Sequence, residues 1–93
     1  MSAKPETLLV QRIIKALRHE GAFVLKVHGG PYQVAGVPDL LCCVRGRLIG
    51  LEVKVGSNNA TPLQEKTMAD IRAAGGIAAV VRSVEEALEV CSV

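Results

Sequence analysis

Two almost continuous apolar segments separated by a short turn constrain the fold of this chain most strongly. Residues 39–44 and 48–55 are rich in Leu, Val, Ile and Cys, and Arg45-Gly46-Arg47 lies between them. Apolar runs of this length around a glycine-containing turn are typical of a β-hairpin. Because the runs are apolar on both sides, we expect both strands in the interior of a sheet that helices cover on both faces.

Helical and extended segments flank this hairpin. Apolar side chains recur at helical spacing after Pro5, which suits the first turn of a helix, and Gly21 suits its end. The order is αβββαβα, an α/β arrangement in which an antiparallel meander precedes a right-handed helical crossover to a final, parallel strand. The predicted elements are a helix over 5–20, strands over 22–28, 39–44 and 48–55, a helix over 61–74, a strand over 77–81 and a helix over 83–91.

Composition excludes several classes of protein. The 93 residues suffice for one domain, predicted over 1–93. With 49% apolar and 22% charged residues the chain is not expected to be disordered. No apolar stretch approaches the roughly 20 residues of a membrane helix, so no membrane partner is expected. The only aromatic residues are Phe23 and Tyr32, which argues against a surface built on base stacking.

Charge and cysteine content say less about function. A net charge of +2 permits a nucleic-acid partner without demanding one. We expect the three cysteines, Cys42, Cys43 and Cys91, to be small buried side chains in a reducing compartment. The sequence shows no signal peptide, so we expect a cytoplasmic protein of a bacterial or phage-infected cell. A zinc site from these cysteines with His19 or His28 lacks the usual ligand spacing.

Glu52 and Lys54 interrupt the most apolar strand, and both project to the same face. A buried ion costs several kcal/mol unless it is paired or coordinated. If Arg45-Gly46 is a two-residue turn, Val44 pairs with Arg47 and Asp39 falls opposite Glu52, with Cβ atoms about 4.5–5.5 Å apart. The register therefore predicts two carboxyl groups side by side.

Two carboxylates at that distance repel each other, so one takes up a proton unless a cation lies between them. Mg²⁺ is often held by one or two carboxylates together with water and phosphate oxygens. Lys54 lies about 7 Å further along the same face, within reach of such a phosphate. This set of groups suits metal-dependent hydrolysis of a phosphodiester. The alternatives are a solvated Glu-x-Lys ion pair and a turn role for Asp39.

Three segments together resemble a known pattern: Gly36-Val37-Pro38-Asp39-Leu40-Leu41, Gly50-Leu51-Glu52-Val53-Lys54 and Thr61-Pro62-Leu63-Gln64. They resemble the PD-(D/E)XK nuclease superfamily and, within it, the VRR-NUC (virus-type replication-repair nuclease) domain. The likeness extends over residues 6–81. It implies a restriction-endonuclease-like αβββαβ core with a mixed four-stranded sheet flanked by helices, here with an extra C-terminal helix.

The resemblance also implies a role for each matching residue. Asp39 and Glu52 would hold Mg²⁺, for which Mn²⁺ could substitute, together with the backbone carbonyl of Val53. Lys54 would assist the nucleophilic water. Gln64 would lie beside the site, or would only cap its helix with Thr61. Glu6 would be a further ligand or hold a water, or would only complement the dipole of the first helix.

Small stand-alone relatives of this kind resemble Holliday-junction resolvases, which are symmetric dimers. A homodimer would present two identical sites to a two-fold substrate, and we expect its interface on the helix from Val84 and the strand over 77–81. Basic side chains would neutralise phosphates, and the Gly29-Gly30 loop would approach the DNA closely, although a merely solvated basic face is the alternative. The candidate DNA-binding residues are Lys15, Arg18, Lys26, His28, Arg45, Arg47 and Lys66.

The predicted function is therefore a Mg²⁺-dependent, structure-selective endonuclease that cuts branched DNA, above all four-way junctions, in DNA repair, with a phage as a suitable source. Two alternatives remain open. One is a non-catalytic DNA-binding or assembly module on the same fold, and the other is a flap or nicking nuclease.

Overall fold

The computed structural model describes residues 4–29, 31 and 34–93. Gly30 of the predicted glycine loop and Tyr32 lie outside the described residues. Within the described ranges, no helix is both long enough and apolar enough to cross a membrane. The elements are α1 (Pro5–His19), β1 (Phe23–Lys26), β2 (Leu40–Val44), β3 (Arg47–Val53), α2 (Pro62–Ala73), β4 (Ile77–Val81) and α3 (Val84–Val90).

A two-residue turn joins β2 to β3. Arg45 and Gly46 have φ angles of 50° and 82°, the left-handed pair that a type I′ hairpin turn requires. Val44 pairs with Arg47, and the ladder continues to Leu40 opposite Leu51. The predicted register is confirmed, and its next pair is Asp39 with Glu52.

The sheet has four strands in the order β1-β2-β3-β4. The first three strands are antiparallel, and β4 lies parallel to β3 after the chain crosses over through α2. The predicted α/β class and mixed four-stranded sheet are confirmed. This order places β2 and β3, which carry the acidic pair near their ends, in the interior of the sheet.

One face of the sheet is covered by α1 and α3, which also pack against each other. Ile13 and Leu17 of α1 are buried against Leu40, Ile49 and Leu51 of the strands. Ser83 caps α3 by accepting a hydrogen bond from the Glu86 N–H at 3.0 Å. The hydrophobic core therefore lies between this face and the two helices.

The opposite face is covered by α2 over β3 and β4 only. Gly50 lies beneath Ile71 and Pro38, whose nearest atoms would be 3.0 Å from a Cβ at this position. Over β1 and β2, the side chains of Phe23 and Leu25 stay exposed. Helices therefore lie on both faces as predicted, but the cover of this face is incomplete, because one helix about 10 Å wide spans only two strands of about 4.8 Å spacing.

The first strand is shorter than predicted, since β1 spans Phe23–Lys26 and His28 lies beyond its end.

The dimer interface expected on β4 and α3 stays a prediction. Val81 of β4 and Ala87 of α3 are fully buried within the chain's own core, so these two side chains are used inside the monomer.

Candidate active site

Asp39 lies directly before β2, and two main-chain contacts fix its position. Its carbonyl accepts a hydrogen bond from the Val27 N–H at 2.9 Å, which extends the pairing of β1 with β2 by one residue. Its side-chain Oδ2 accepts a hydrogen bond from the Val53 N–H at 2.8 Å. The carboxyl group is therefore held against the end of β3, next to Glu52.

Pro38 leaves the ladder at this corner. The pairing of β2 with β3 ends at Leu40 opposite Leu51, and Pro38 Cγ lies 3.0 Å from the position that a Cβ of Gly50 would take. The chain before Asp39 therefore folds over the same face of the sheet as Gly50. The role of the Val53 carbonyl as a cation ligand stays a prediction.

Glu52 is the one buried charged residue in the described part of the chain, with 1% of its surface exposed. Its Oε1 accepts a hydrogen bond from Gln64 Nε2 at 3.1 Å, and Lys54 Nζ lies 3.8 Å from the same oxygen. Its Oε2 is also buried and has no hydrogen-bond partner among the described residues. A buried polar atom without a partner is costly, so this oxygen is suited to a ligand.

The surroundings of Glu52 favour its neutral form. Burial is the main cause that raises its pKa to about 8, and the neighbouring Asp39 carboxyl group raises it as well. The Lys54 ammonium lowers the pKa, and the negative charge of Glu6 raises it. Glu52 therefore holds its proton at pH 7 unless a cation is bound.

Gln64 serves two roles at once. It is the third residue of α2, where its N–H donates to Thr61 Oγ1 at 3.2 Å and its Oε1 accepts from the Thr61 N–H at 2.8 Å. The same amide uses its Nε2 for Glu52. Gln64 therefore both caps α2 and lies beside the candidate site.

Gly36 allows the loop before Asp39 to reach α2. Its φ is +86°, and a Cβ there would lie 2.8 Å from the main-chain oxygen of Leu63. Only glycine adopts this conformation without strain and leaves room for such an approach. This contact places the Pro38–Asp39 corner beside the helix start that carries Gln64.

Glu6 and His28 lie at the margin of the site. Glu6 is half-buried in the first turn of α1, and its charge acts on Glu52. His28 borders a cavity of about 290 Å³ together with Gly29, Pro38 and Asp39. Their roles in cation or phosphate binding stay predictions.

Basic residues of the hairpin and of α1 lie far from the carboxyl pair. Arg45 is six residues from Asp39 along β2, about 20 Å away. Arg47 donates from Nη2 to the Gly75 carbonyl at 3.1 Å. Lys15 and Arg18 lie about 13 and 18 Å from Glu6 along α1, and Arg18 donates to the Val24 carbonyl at 3.1 Å.

Two other basic candidates lie closer to the site. Lys26 is exposed at the end of β1, directly before Val27. Lys66 is two residues beyond Gln64 on α2, where its Nζ lies 3.0 Å from Asp70 Oδ2 in an exposed ion pair. Neither touches the carboxyl pair, so their role as DNA-binding residues stays a prediction.

Sequence reasoning missed Arg82. This side chain follows β4 and donates to the Gly56 carbonyl at 3.1 Å and to Asn59 Oδ1 at 3.3 Å. These two hydrogen bonds hold the loop that leads from Lys54 to α2 against the end of β4. No sequence pattern marks this role, because the partners are more than twenty residues away along the chain.

The donor atoms around Glu52 fit a hard divalent cation. Asp39, Glu52 and the Val53 carbonyl all offer oxygen, the ligand type that Mg²⁺ prefers, and Glu52 Oε2 has no other partner among the described residues. No group of three or more His, Cys, Asp or Glu side chains positioned to hold a metal occurs in ranges 4–29, 31 and 34–93. The described residues thus do not bring Asp39, Glu52 and Glu6 together as one set of three side-chain ligands.

The three cysteines differ in burial. Cys42 and Cys91 are buried in the core, and Cys43, predicted as buried, is exposed on the other face of β2.

Comparisons with known proteins add one finding. No family model matches the chain, and no curated protein gives a significant sequence match. A solved structure described as a VRR_NUC domain superposes on it with a TM-score of 0.80 and 24% sequence identity, over 97% of each chain. The predicted resemblance is confirmed at the level of structure: this chain has the fold of a VRR_NUC domain.

Proposed function

We propose that this protein is a divalent-cation-dependent DNA endonuclease of the PD-(D/E)XK type. The observation that carries the proposal is the buried Glu52 carboxyl group, with one oxygen unpartnered beside Asp39. Glu52 is the one charged residue buried in the described part of the chain, and the cost of burying it favours a functional role. The nuclease named in the description of the similar VRR_NUC structure supports the same activity.

Each residue of the site has its own role in the proposed hydrolysis. Asp39, Glu52 and the Val53 carbonyl would hold Mg²⁺, with Mn²⁺ as a substitute, and Glu6 would hold a water at the margin. The cation would supply Lewis-acid polarisation of the scissile phosphate and lower the pKa of a water. Lys54 orients the attacking water and stabilises charge on the phosphoryl oxygens, and Gln64 fixes the Glu52 carboxyl group.

The substrate we propose is branched DNA, with four-way junctions first, bound by a homodimer. The chain has a radius of gyration of only 12.6 Å, so one copy presents one site on a small surface. A two-fold pair would present two sites to a two-fold junction. Basic side chains would hold phosphates and recognise the branched shape rather than base edges. The proposed contacts are Lys15, Arg18, Lys26, His28, Arg45, Arg47 and Lys66.

A cleavage assay tests this proposal. Labelled four-way junctions, flaps, forks and linear duplexes are incubated with the protein in Mg²⁺, in Mn²⁺ and in EDTA, and the cuts are mapped. We expect cation-dependent cuts near the branch point for the wild type and none for Asp39→Asn or Glu52→Gln. Asp70→Asn is the matched control, because Asp70 is exposed on α2 and pairs only with Lys66.

Each alternative has its own outcome in this assay. DNA binding without cleavage of any substrate in either cation would overturn the nuclease and favour the binding or assembly module. Cleavage confined to flaps or to nicking of duplexes would keep the chemistry and overturn the junction substrate. Cleavage by Asp39→Asn at the wild-type rate would overturn the assigned site.

A further inference from the structure

Two cysteines from distant parts of the chain meet in the hydrophobic core. Cys42 is a residue of β2, and Cys91 ends α3. Their exposed fractions are 1% and 8%, and both belong to the same cluster of buried residues. The Cys42 thiol donates a hydrogen bond to Cys91 Sγ, so the two sulfur atoms are in direct contact.

Cys91 also borders a cavity at the protein surface. The cavity has a volume of about 650 Å³, and its lining includes Val44, the next residue after Cys42 on the same face of β2. Seen from the cavity, Cys42 therefore lies behind Cys91. A reagent that enters the cavity meets the Cys91 thiol first.

The contact makes the two thiols chemically unequal. The hydrogen bond from Cys42 lowers the pKa of Cys91, although burial acts in the opposite direction. The same hydrogen bond and burial both raise the pKa of Cys42. Because the thiolate is the form that attacks a disulfide, the thiol next to the cavity is also the better nucleophile.

We propose that Cys91 is a redox modification site, at which a low-molecular-weight disulfide converts Cys42 and Cys91 into a reversible disulfide. The Cys91 thiolate attacks one sulfur of the reagent, the reagent's S–S bond breaks, and its first half leaves as a thiol with the proton that Cys91 lost. Cys42 then loses its proton and attacks Cys91 Sγ, and the second half leaves as a thiol. Two protein thiols are thereby oxidised, and one small disulfide is reduced to two thiols.

The cavity determines the class of reagent. Cys91 is recessed, so a small disulfide reaches it more readily than the surface of another protein does. The lining carries charges of both signs, from Arg45 on one hand and from Glu20 and Glu89 on the other. Such a lining suits a zwitterionic disulfide derived from amino acids, and oxidised glutathione is the probe of that class.

The disulfide would join α3 directly to the strand β2. The helix has seven residues, and within the described part of the chain it packs mainly against α1 and β4. The new bond closes a loop of about 50 residues and so lowers the conformational entropy of the unfolded chain. We expect the oxidised protein to melt about 10 °C above the reduced protein. Excess small thiol reverses both exchange steps.

Thiol counting by mass spectrometry tests the proposal without DNA or turnover. The folded protein is incubated with oxidised glutathione, and the free thiols are then blocked with a maleimide in urea. Cys43→Ser is the background for this test, because Cys43 is exposed and takes up glutathione by itself. We expect no free thiol, no bound glutathione, and a disulfide that joins the tryptic peptides 27–45 and 83–93. Two free thiols, or glutathione on either sulfur atom without this link, would overturn the proposal.

Two further variants in the Cys43→Ser background test the order of attack. Cys42→Ala removes the second nucleophile, so we expect glutathione to remain bound to Cys91. Cys91→Ala removes the accessible thiol, so we expect Cys42 to stay reduced. Circular dichroism verifies that each variant folds, and the peptide link in the Cys43→Ser background needs neither of them. Glutathione on Cys42 in a folded Cys91→Ala variant would overturn the role of Cys91 as the point of entry.

Thermal unfolding tests the link between α3 and the sheet. The Cys43→Ser variant is melted after oxidation by glutathione and again after reduction by dithiothreitol. We expect the rise of about 10 °C in the oxidised sample and its loss on reduction. Equal melting temperatures for the oxidised and reduced samples would contradict a disulfide that holds α3 to β2.

Discussion

Gln64 donates a hydrogen bond from Nε2 to Oε1 of Glu52 at 3.1 Å while its own Oε1 caps the first turn of α2. The helix start and the buried carboxyl group are thereby joined through one side chain. Loss of the amide should therefore affect stability and chemistry together, whereas loss of the cap partner should affect stability alone.

Two variants separate these roles of Gln64. Gln64→Ala removes the cap and the donor to Glu52, so we expect a loss of about 1 kcal/mol in the free energy of unfolding and a strong fall in cleavage rate. Thr61→Ala removes a cap acceptor and leaves the Gln64 amide, so we expect a similar loss of stability with cleavage close to wild type. Urea unfolding and single-turnover cleavage measure the two effects. Equal cleavage by both variants would show that the contact with Glu52 does not matter.

The pKa of Glu52 predicts how stability varies with pH in the absence of divalent cations. The folded protein raises this pKa from 4.5 to about 8, so between these values the folded state binds more protons than the unfolded state. Stability should therefore fall as pH rises from about 5 to 8, by at most about 1.4 kcal/mol per pH unit. Urea unfolding in EDTA at several pH values measures the slope, and Glu52→Gln should lack this component. A wild type and a Glu52→Gln variant with parallel pH profiles would contradict the assignment.

Gly36 and Gly21 form a matched pair for testing the loop contact. Both have positive φ angles, +86° and +88°, but a Cβ at Gly36 would meet Leu63, while nothing lies within 4 Å at Gly21. Gly21→Ala should cost about 1 kcal/mol and leave cleavage intact. Gly36→Ala adds a clash to the strain, so we expect a cost of roughly 2–4 kcal/mol and a displaced Asp39 with reduced cleavage. Thermal unfolding and cleavage rates measure both, and indistinguishable variants would contradict the role of this contact.

Lys54 should matter for chemistry more than for cation binding. Its Nζ lies 3.8 Å from Glu52 and its side chain is only 14% exposed. Lys54→Met should abolish cleavage, raise the pKa of Glu52 further and leave Mn²⁺ binding in place. Lys4→Met is the control for loss of an exposed lysine, because Lys4 is not among the proposed DNA contacts and its side chain makes no cap hydrogen bond. Cleavage by Lys54→Met at a rate near wild type would remove Lys54 from the mechanism.

The fold and the carboxyl pair could be predicted because short-range rules determine them. A two-residue turn at Arg45-Gly46 fixes the register of the hairpin, and the register alone puts Asp39 opposite Glu52. The cap residues Thr61 and Gln64 likewise mark the start of α2. These signals lie within a few residues of the structure that they specify.

Other features depend on contacts between distant segments and carry no local pattern. The exposure of Phe23 follows from how much of the sheet α2 covers, which the apolar sequence of β1 does not reveal. The hydrogen bond from Arg82 to the Gly56 carbonyl joins segments 26 residues apart. The close approach of Gly36 to Leu63 likewise appears only in the three-dimensional structure.

Mn²⁺ binding measured by electron paramagnetic resonance tests the central claim most directly, since it needs neither DNA nor turnover. The account predicts that the wild type binds Mn²⁺, that Mg²⁺ competes for the same site, and that Asp39→Asn and Glu52→Gln each lose this binding while Asp70→Asn retains it. A wild type that binds no Mn²⁺, or an Asp39→Asn variant that binds it as well as the wild type, would contradict a cation shared between these two carboxyl groups.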